Sequence, residues 1–97
     1  MEIPSSINIL GITFKVLQQE NIVQDSDECM GSCEFNTQTI RLKQDLPEDM
    51  KAITLLHEII ESINESLSLK LKHDIINTID TALYQVLKDN RLAFYAD

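Results

Sequence analysis

The hydrophobic period of the chain changes between residues 43 and 48, and that change restricts the fold more than any other feature. Before it, apolar residues alternate with polar or small ones: Ile7, Ile9, then Ile12, Phe14 and Val16. Alternation suits a strand with one buried face, because successive side chains point to opposite sides of a sheet. Gly11 breaks the row, as a turn or bulge would. Residues 20–28 are polar and read as a connection. Residues 30–35 and 39–42 read as two more short strands, with Asn36-Thr37-Gln38 suited to a hairpin turn between them.

After the change the period is helical. Asp45-Leu46-Pro47-Glu48 is a start signal, with Asp45 placed to cap, Pro47 in the first turn and Glu48 completing a capping box. Ile53, Leu56, Ile60, Ile63 and Leu67 then follow i, i+3, i+4 spacing, widened by Leu55 and Ile59. Residues 64–68 form a polar break. A second helix follows, with Ile76, Ile79, Leu83, Val86 and Leu87 on its apolar face and Lys88 and Arg91 suited to the dipole at its end. The short break turns the helices into an antiparallel hairpin. Three short strands cannot stand alone, so they should cover one face of it. The expectation is a single α+β domain over residues 1–97, ordered β-β-β-α-α, with three antiparallel strands (about 7–42) against helices at about 46–65 and 69–91.

Charge narrows the partners. Sixteen Asp and Glu stand against eight Lys and Arg, a formal net charge of -8, and the basic residues are scattered. Nucleic acid and anionic membrane are therefore not expected as partners, since both select clustered Lys and Arg. No apolar run approaches the ~20 residues that span a bilayer. The Met-Glu-Ile-Pro start has neither a basic region nor an apolar stretch, so no signal peptide is expected and a cytoplasmic protein is. Cys29 and Cys33, in C-x3-C spacing, read as reduced thiols in that compartment. A Cys2His2 zinc finger does not fit, because His57 and His73 are sixteen residues apart. Asp25, Asp27 and Glu28 lack the spacing of a calcium loop and read as solvated.

The segment richest in chemistry is Thr54-Leu55-Leu56-His57-Glu58-Ile59-Ile60-Glu61, an H-E-x-x-E helix. In an H-E-x-x-H helix the residues at i and i+4 share a face and can grip one zinc ion, while Glu at i+1 can take a proton from attacking water. His57 and Glu61 hold the i, i+4 places here and Glu58 the i+1 place. Zinc accepts carboxylate oxygen, so Glu61 is a legitimate ligand where the usual motif has a second His. In a hairpin centred near Leu67, residues equidistant from the turn face each other. This sets His73 opposite Glu61 and Asn77 opposite His57. His57, Glu61 and His73 then form two nitrogens and one oxygen around an open fourth position, with Glu58 as base. The plainer reading of the same residues is a helical His57–Glu61 pair beside a solvated Glu58. Cys33 reads as a small buried hydrophobe, and Tyr84 as a packing and hydrogen-bonding residue.

Three segments together resemble small phage and prophage proteins that are minimal gluzincin-type metallopeptidases, distantly similar to ImmA/IrrE-like proteins. They are Gly31-x-Cys33-x-Phe35-x-x-Gln38-x-Ile40-Arg41-Leu42, the Thr54–Ile60 run, and Leu83-Tyr84-Gln85-Val86-Leu87-Lys88-Asp89-Asn90. The resemblance spans about residue 7 to Asn90. It implies a zincin-like core, a zinc ion, a peptide or protein substrate and a bacterial host cytoplasm. His57 matches the family's first ligand and Glu58 its base. Glu61 stands at its second His, and His73 aligns with its Glu ligand, as though the two residue types had changed places. The alternative implied by size and charge is an inactive acidic module that binds a host protein, its carboxylates standing in place of phosphates.

Overall fold

The computed structural model describes residues 2–24 and 27–92, with residues 24, 27 and 28 described by their backbone alone. The elements are β1 (Ser6–Ile9), β2 (Ile12–Gln19), β3 (Val23–Gln24), β4 (Asp27–Glu28), β5 (Gly31–Glu34), β6 (Thr39–Lys43), α1 (Glu48–Ser66) and α2 (His73–Asp89). The class is α+β, strands first and a helical hairpin last, as expected.

The sheet departs from three antiparallel strands. It has four, in the order β1-β2-β6-β5, and β2 pairs with β6 in parallel, Val16 beside Ile40. Of the turn or bulge expected at Gly11, the turn forms, and it makes β1 and β2 a hairpin of two strands where one was counted. Leu10 (φ 51°) and Gly11 (φ 83°) both take left-handed backbone, the requirement of a two-residue turn whose twist matches the strands it joins. The polar connection holds a short ribbon of its own, β3 paired with β4. Asp25 lies outside the described residues, as do the side chains of Asp27 and Glu28. The turn between β5 and β6 falls where expected, closed by Gln38 N–H donating to the Phe35 carbonyl at 3.1 Å.

One face of the sheet is buried. Phe14 and Val16 of β2 point inward with Ile9, Ile40 and Leu42, and meet Leu55 of α1. Lys15 and Leu17 face out. α1 lies across β1, β5 and β6 on one side and against α2 on the other. The second contact is a smaller cluster of Ala52, Leu56, Tyr84 and Leu87. Tyr84 also donates its hydroxyl to Asp49 Oδ1 at 2.5 Å, joining the end of α2 to the start of α1 and giving the phenol the packing and hydrogen-bonding role read from sequence.

The helix ends correct two expectations. Asp45 does not cap α1. Pro47 takes the cap position with extended backbone (ψ 151°) and no side-chain bond, and Glu48 and Asp49 offset the dipole from the first turn. α2 starts at His73, because Ser68 (φ 52°) and Lys70 (φ 60°) leave helical backbone. Asn64 pins this loop: its Oδ1 accepts from Leu71 N–H at 2.9 Å and its Nδ2 donates to the Leu71 carbonyl at 3.3 Å. The apolar stripe of α2 is also wider than its contact. Ile76, Asp80, Tyr84 and Leu87 are buried, whereas Ile79, Leu83 and Val86 are exposed. Among the described residues no helix is long and apolar enough to cross a membrane.

β5 approaches α1 closely at Gly31. A Cβ there would lie 2.5 Å from Thr54 Cγ2 and 3.1 Å from the Arg41 carbonyl. Gly31→Ala is therefore expected to destabilise the fold by about 1–3 kcal/mol in urea titration. Thr54→Ser removes the opposing methyl but keeps a hydroxyl for the bond to the Met50 carbonyl. The double variant should recover much of the loss; equal stability of Gly31→Ala and the parent would show that the approach is looser than described.

Candidate metal centre

α1 has three faces to place. One meets the sheet and one meets α2, and the third looks into a cleft of about 810 Å³ between β5, α1 and α2. That volume is in the range of small-molecule and peptide side-chain sites. His57 and Glu61 occupy this third face, one turn apart, and Glu58 turns toward β5. The loop pinned by Asn64 returns the chain so that His73, at the first turn of α2, stands over Glu61.

The three residues singled out from sequence converge. His73 Nδ1 is 3.4 Å from Glu61 Oε2, and His57 Nε2 is 3.8 Å from the same oxygen. Ligand atoms of the three all lie within 4.8 Å of one another, and the imidazole centroids are 4.9 Å apart at 76°. Zinc at its usual bond lengths of about 2.0–2.2 Å places tetrahedral ligand atoms roughly 3.3 Å apart. Closing the donor set on one such ion would draw the two His–Glu pairs in by about half an ångström or less and the widest pair, up to 4.8 Å apart, by about 1.5 Å. His57 and Glu61 are partly buried and His73 is exposed, so the arrangement is open on the His73 side.

Asp80 completes the arrangement. The symmetric register sets His57 opposite Asn77, which lines the same cleft; the hydrogen-bond partner of His57 is Asp80, whose Oδ2 lies 2.8 Å from Nδ1. Asp80 is only 3% exposed. An ionised carboxylate only accepts hydrogen bonds, so an ionised Asp80 takes the Nδ1–H of His57 and leaves Nε2 as the ring nitrogen on the Glu61 side. The other Asp80 oxygen accepts from Thr81 Oγ1 at 2.9 Å, fixing the carboxylate in turn. A carboxylate behind a histidine is the usual outer support of a metal ligand: it selects the tautomer and raises imidazole basicity. The sequence carried a signal for it. Asp80 sits in the buried row of Ile76, Tyr84 and Leu87, where an acid has to find a partner.

Glu58 is buried at 8% exposure, its Oε2 held beneath Gly31. Burial, helped by the negative charge of Glu61, raises its pKa from 4.5 to about 7. A carboxylate tuned to that value both holds and releases a proton near neutrality, as a general base must. Cys33 is half-buried on β5 at the same cleft, among the apolar residues of the sheet core. Burial first, then Glu58 and Glu61, push its thiol up to about 11, which keeps it protonated and a poor nucleophile. No family model, curated protein or solved structure matches this chain.

The Glu58 shift carries a pH signature. Its folded-state pKa lies above the unfolded one, so its contribution is complete below about 4.5 and is lost as pH rises through 7. Glu58→Gln stays neutral throughout. In the presence of a chelator, this variant should gain on the parent by up to about 3 kcal/mol between pH 4.5 and pH 8, read by urea unfolding at each pH. A stability difference that stays constant with pH would contradict the buried, desolvated carboxylate.

Proposed function

We propose that this chain is a small zinc-dependent hydrolase of the gluzincin-type metallopeptidase kind, acting on a peptide or protein substrate in a bacterial cytoplasm. The observation that carries the reading is the convergence of His57, Glu61 and His73, with Asp80 behind His57 and a buried Glu58 beside it. Both histidines of the chain are used. His57 Nε2, a Glu61 oxygen and His73 Nδ1 are the ligands. Zinc supplies Lewis acidity, polarising a carbonyl and lowering the pKa of water.

The remaining chemistry belongs to the protein. Glu58 takes the proton from the attacking water and returns it to the departing amine, a role suited by its place next to His57 at the wall of the cleft. Asp80 keeps His57 in the tautomer that offers Nε2. Met30, Phe35, Met50 and Ile53 line the same cleft and offer an apolar wall to a substrate side chain. The negative charge gathered in Glu58, Glu61 and Asp80 is costly within so small a volume, and a divalent cation offsets it.

Purified without a histidine tag, the protein should bind one zinc ion per chain. Asp80→Asn, which can donate to Nδ1 and so select the other tautomer, should weaken zinc about 10–100-fold in a competition titration. Glu58→Gln should retain zinc and abolish hydrolysis of a peptide library. Failure to bind zinc would remove the hydrolase reading and favour the acidic interaction module. Hydrolysis that survives Glu58→Gln would remove Glu58 from its role.

A further inference from the structure

α2 carries a second apolar face that nothing in the chain covers among the described residues. Ile75, Ile79, Leu83 and Val86 are 46%, 41%, 39% and 43% exposed. Their spacing of four, four and three residues makes one continuous stripe along the helix. His73, Asn77, Asp80 and Thr81, which line the cleft, lie roughly 150° around the helix from this stripe at 3.6 residues per turn. The apolar face and the cleft therefore point in nearly opposite directions.

Charge decides what fits there. Residues 69–92 hold Lys70, Lys72, Lys88 and Arg91 against Asp74, Asp80 and Asp89, a net of +1; the rest of the chain holds four basic and thirteen acidic residues, a net of -9. α2 alone holds Lys88 against Asp74, Asp80 and Asp89, a net of -2, where α1 holds Lys51 against five acidic residues, a net of -4; with Lys70, Lys72 and Arg91 flanking it, α2 is the helix along which two copies of so acidic a chain approach with the least repulsion. Lys70 and Lys72 make no ion pair among the described residues. Asp89 keeps a carboxylate at the opposite end of the helix, where it accepts from Gln85 Nε2 at 2.9 Å.

We propose that the Ile75–Ile79–Leu83–Val86 stripe of α2 is a self-association surface, on which a second copy of the chain packs its own α2 antiparallel about a two-fold axis. In that pairing Ile75 meets Val86 of the second copy and Ile79 meets its Leu83. Lys72 meets the second copy's Asp89, and the symmetry makes each of these contacts twice. Opposite charges at the two ends fix the antiparallel direction and the register, as flanking charges do in helical pairs. Both clefts face outward from the dimer and stay open. The proposal is independent of the metal.

Sedimentation equilibrium of the full-length chain over a wide concentration range tests it. A reversible dimer is expected. Ile79→Glu with Leu83→Glu should give monomer. Lys72→Glu alone should weaken the dimer about tenfold or more, and adding Asp89→Lys should restore it. A chain that is monomeric at every concentration would overturn the proposal. So would a dimer indifferent to the Ile79 and Leu83 changes, or a charge exchange that does not restore association.

Discussion

One helix has to satisfy two neighbours at once, and the rest of the molecule follows from that. α1 buries Leu55 against the sheet and Ala52 and Leu56 against α2. Those two contacts leave one strip of its middle turns to look into the cleft. His57 and Glu61 sit on that strip, and Glu58 lies at its border with β5. Sheet and second helix are thereby the walls of the cleft as well as the partners of the core. Any change that lets α1 roll about its axis, such as a side chain at Gly31, would displace the core and the site together.

The second anchor is polar. Asp80 lies in the contact between the helices, where a carboxylate with no partner would cost several kcal/mol. Its bond to His57 satisfies it and fixes the imidazole. The same bond ties α2 to α1 two turns along from His73. At the far end of the hairpin the Tyr84–Asp49 bond, flanked by Lys88 at 3.3 Å from Asp49, holds the helices together again. Asn64 holds the turn. The hairpin is thus fixed at three points along its length, and the candidate metal centre lies between the turn and the middle one.

Much of this was legible in the sequence. The change of period separated strands from helices near residue 45 because each half has one predominantly buried face. Equidistance from the turn placed His73 opposite Glu61, since a short loop leaves little freedom of register. It did not name the hydrogen-bond partner of His57, which is Asp80, one turn beyond the Asn77 that equidistance sets opposite it. The parallel pairing of β2 with β6 was not legible: strand partners across a long connection are set by the assembled core, not by local pattern. Nor was the bare Pro47 start of α1, since a capping signal at Asp45 competes with the extended backbone that precedes and includes the proline. The exposed stripe on α2 escaped too, because hydrophobic spacing reports which residues can be buried and not which neighbour is present to bury them.

The central claim is that both imidazoles and Glu61 close on a single ion. Nitrogen-resolved NMR of the two histidine side chains during zinc addition tests it most directly, because the chain contains no other histidine. The account predicts that one equivalent of zinc shifts His57 Nε2 and His73 Nδ1 together, while the His57 Nδ1 proton, held by Asp80, is retained. Spectra unchanged by zinc, or a shift confined to one histidine, would contradict it.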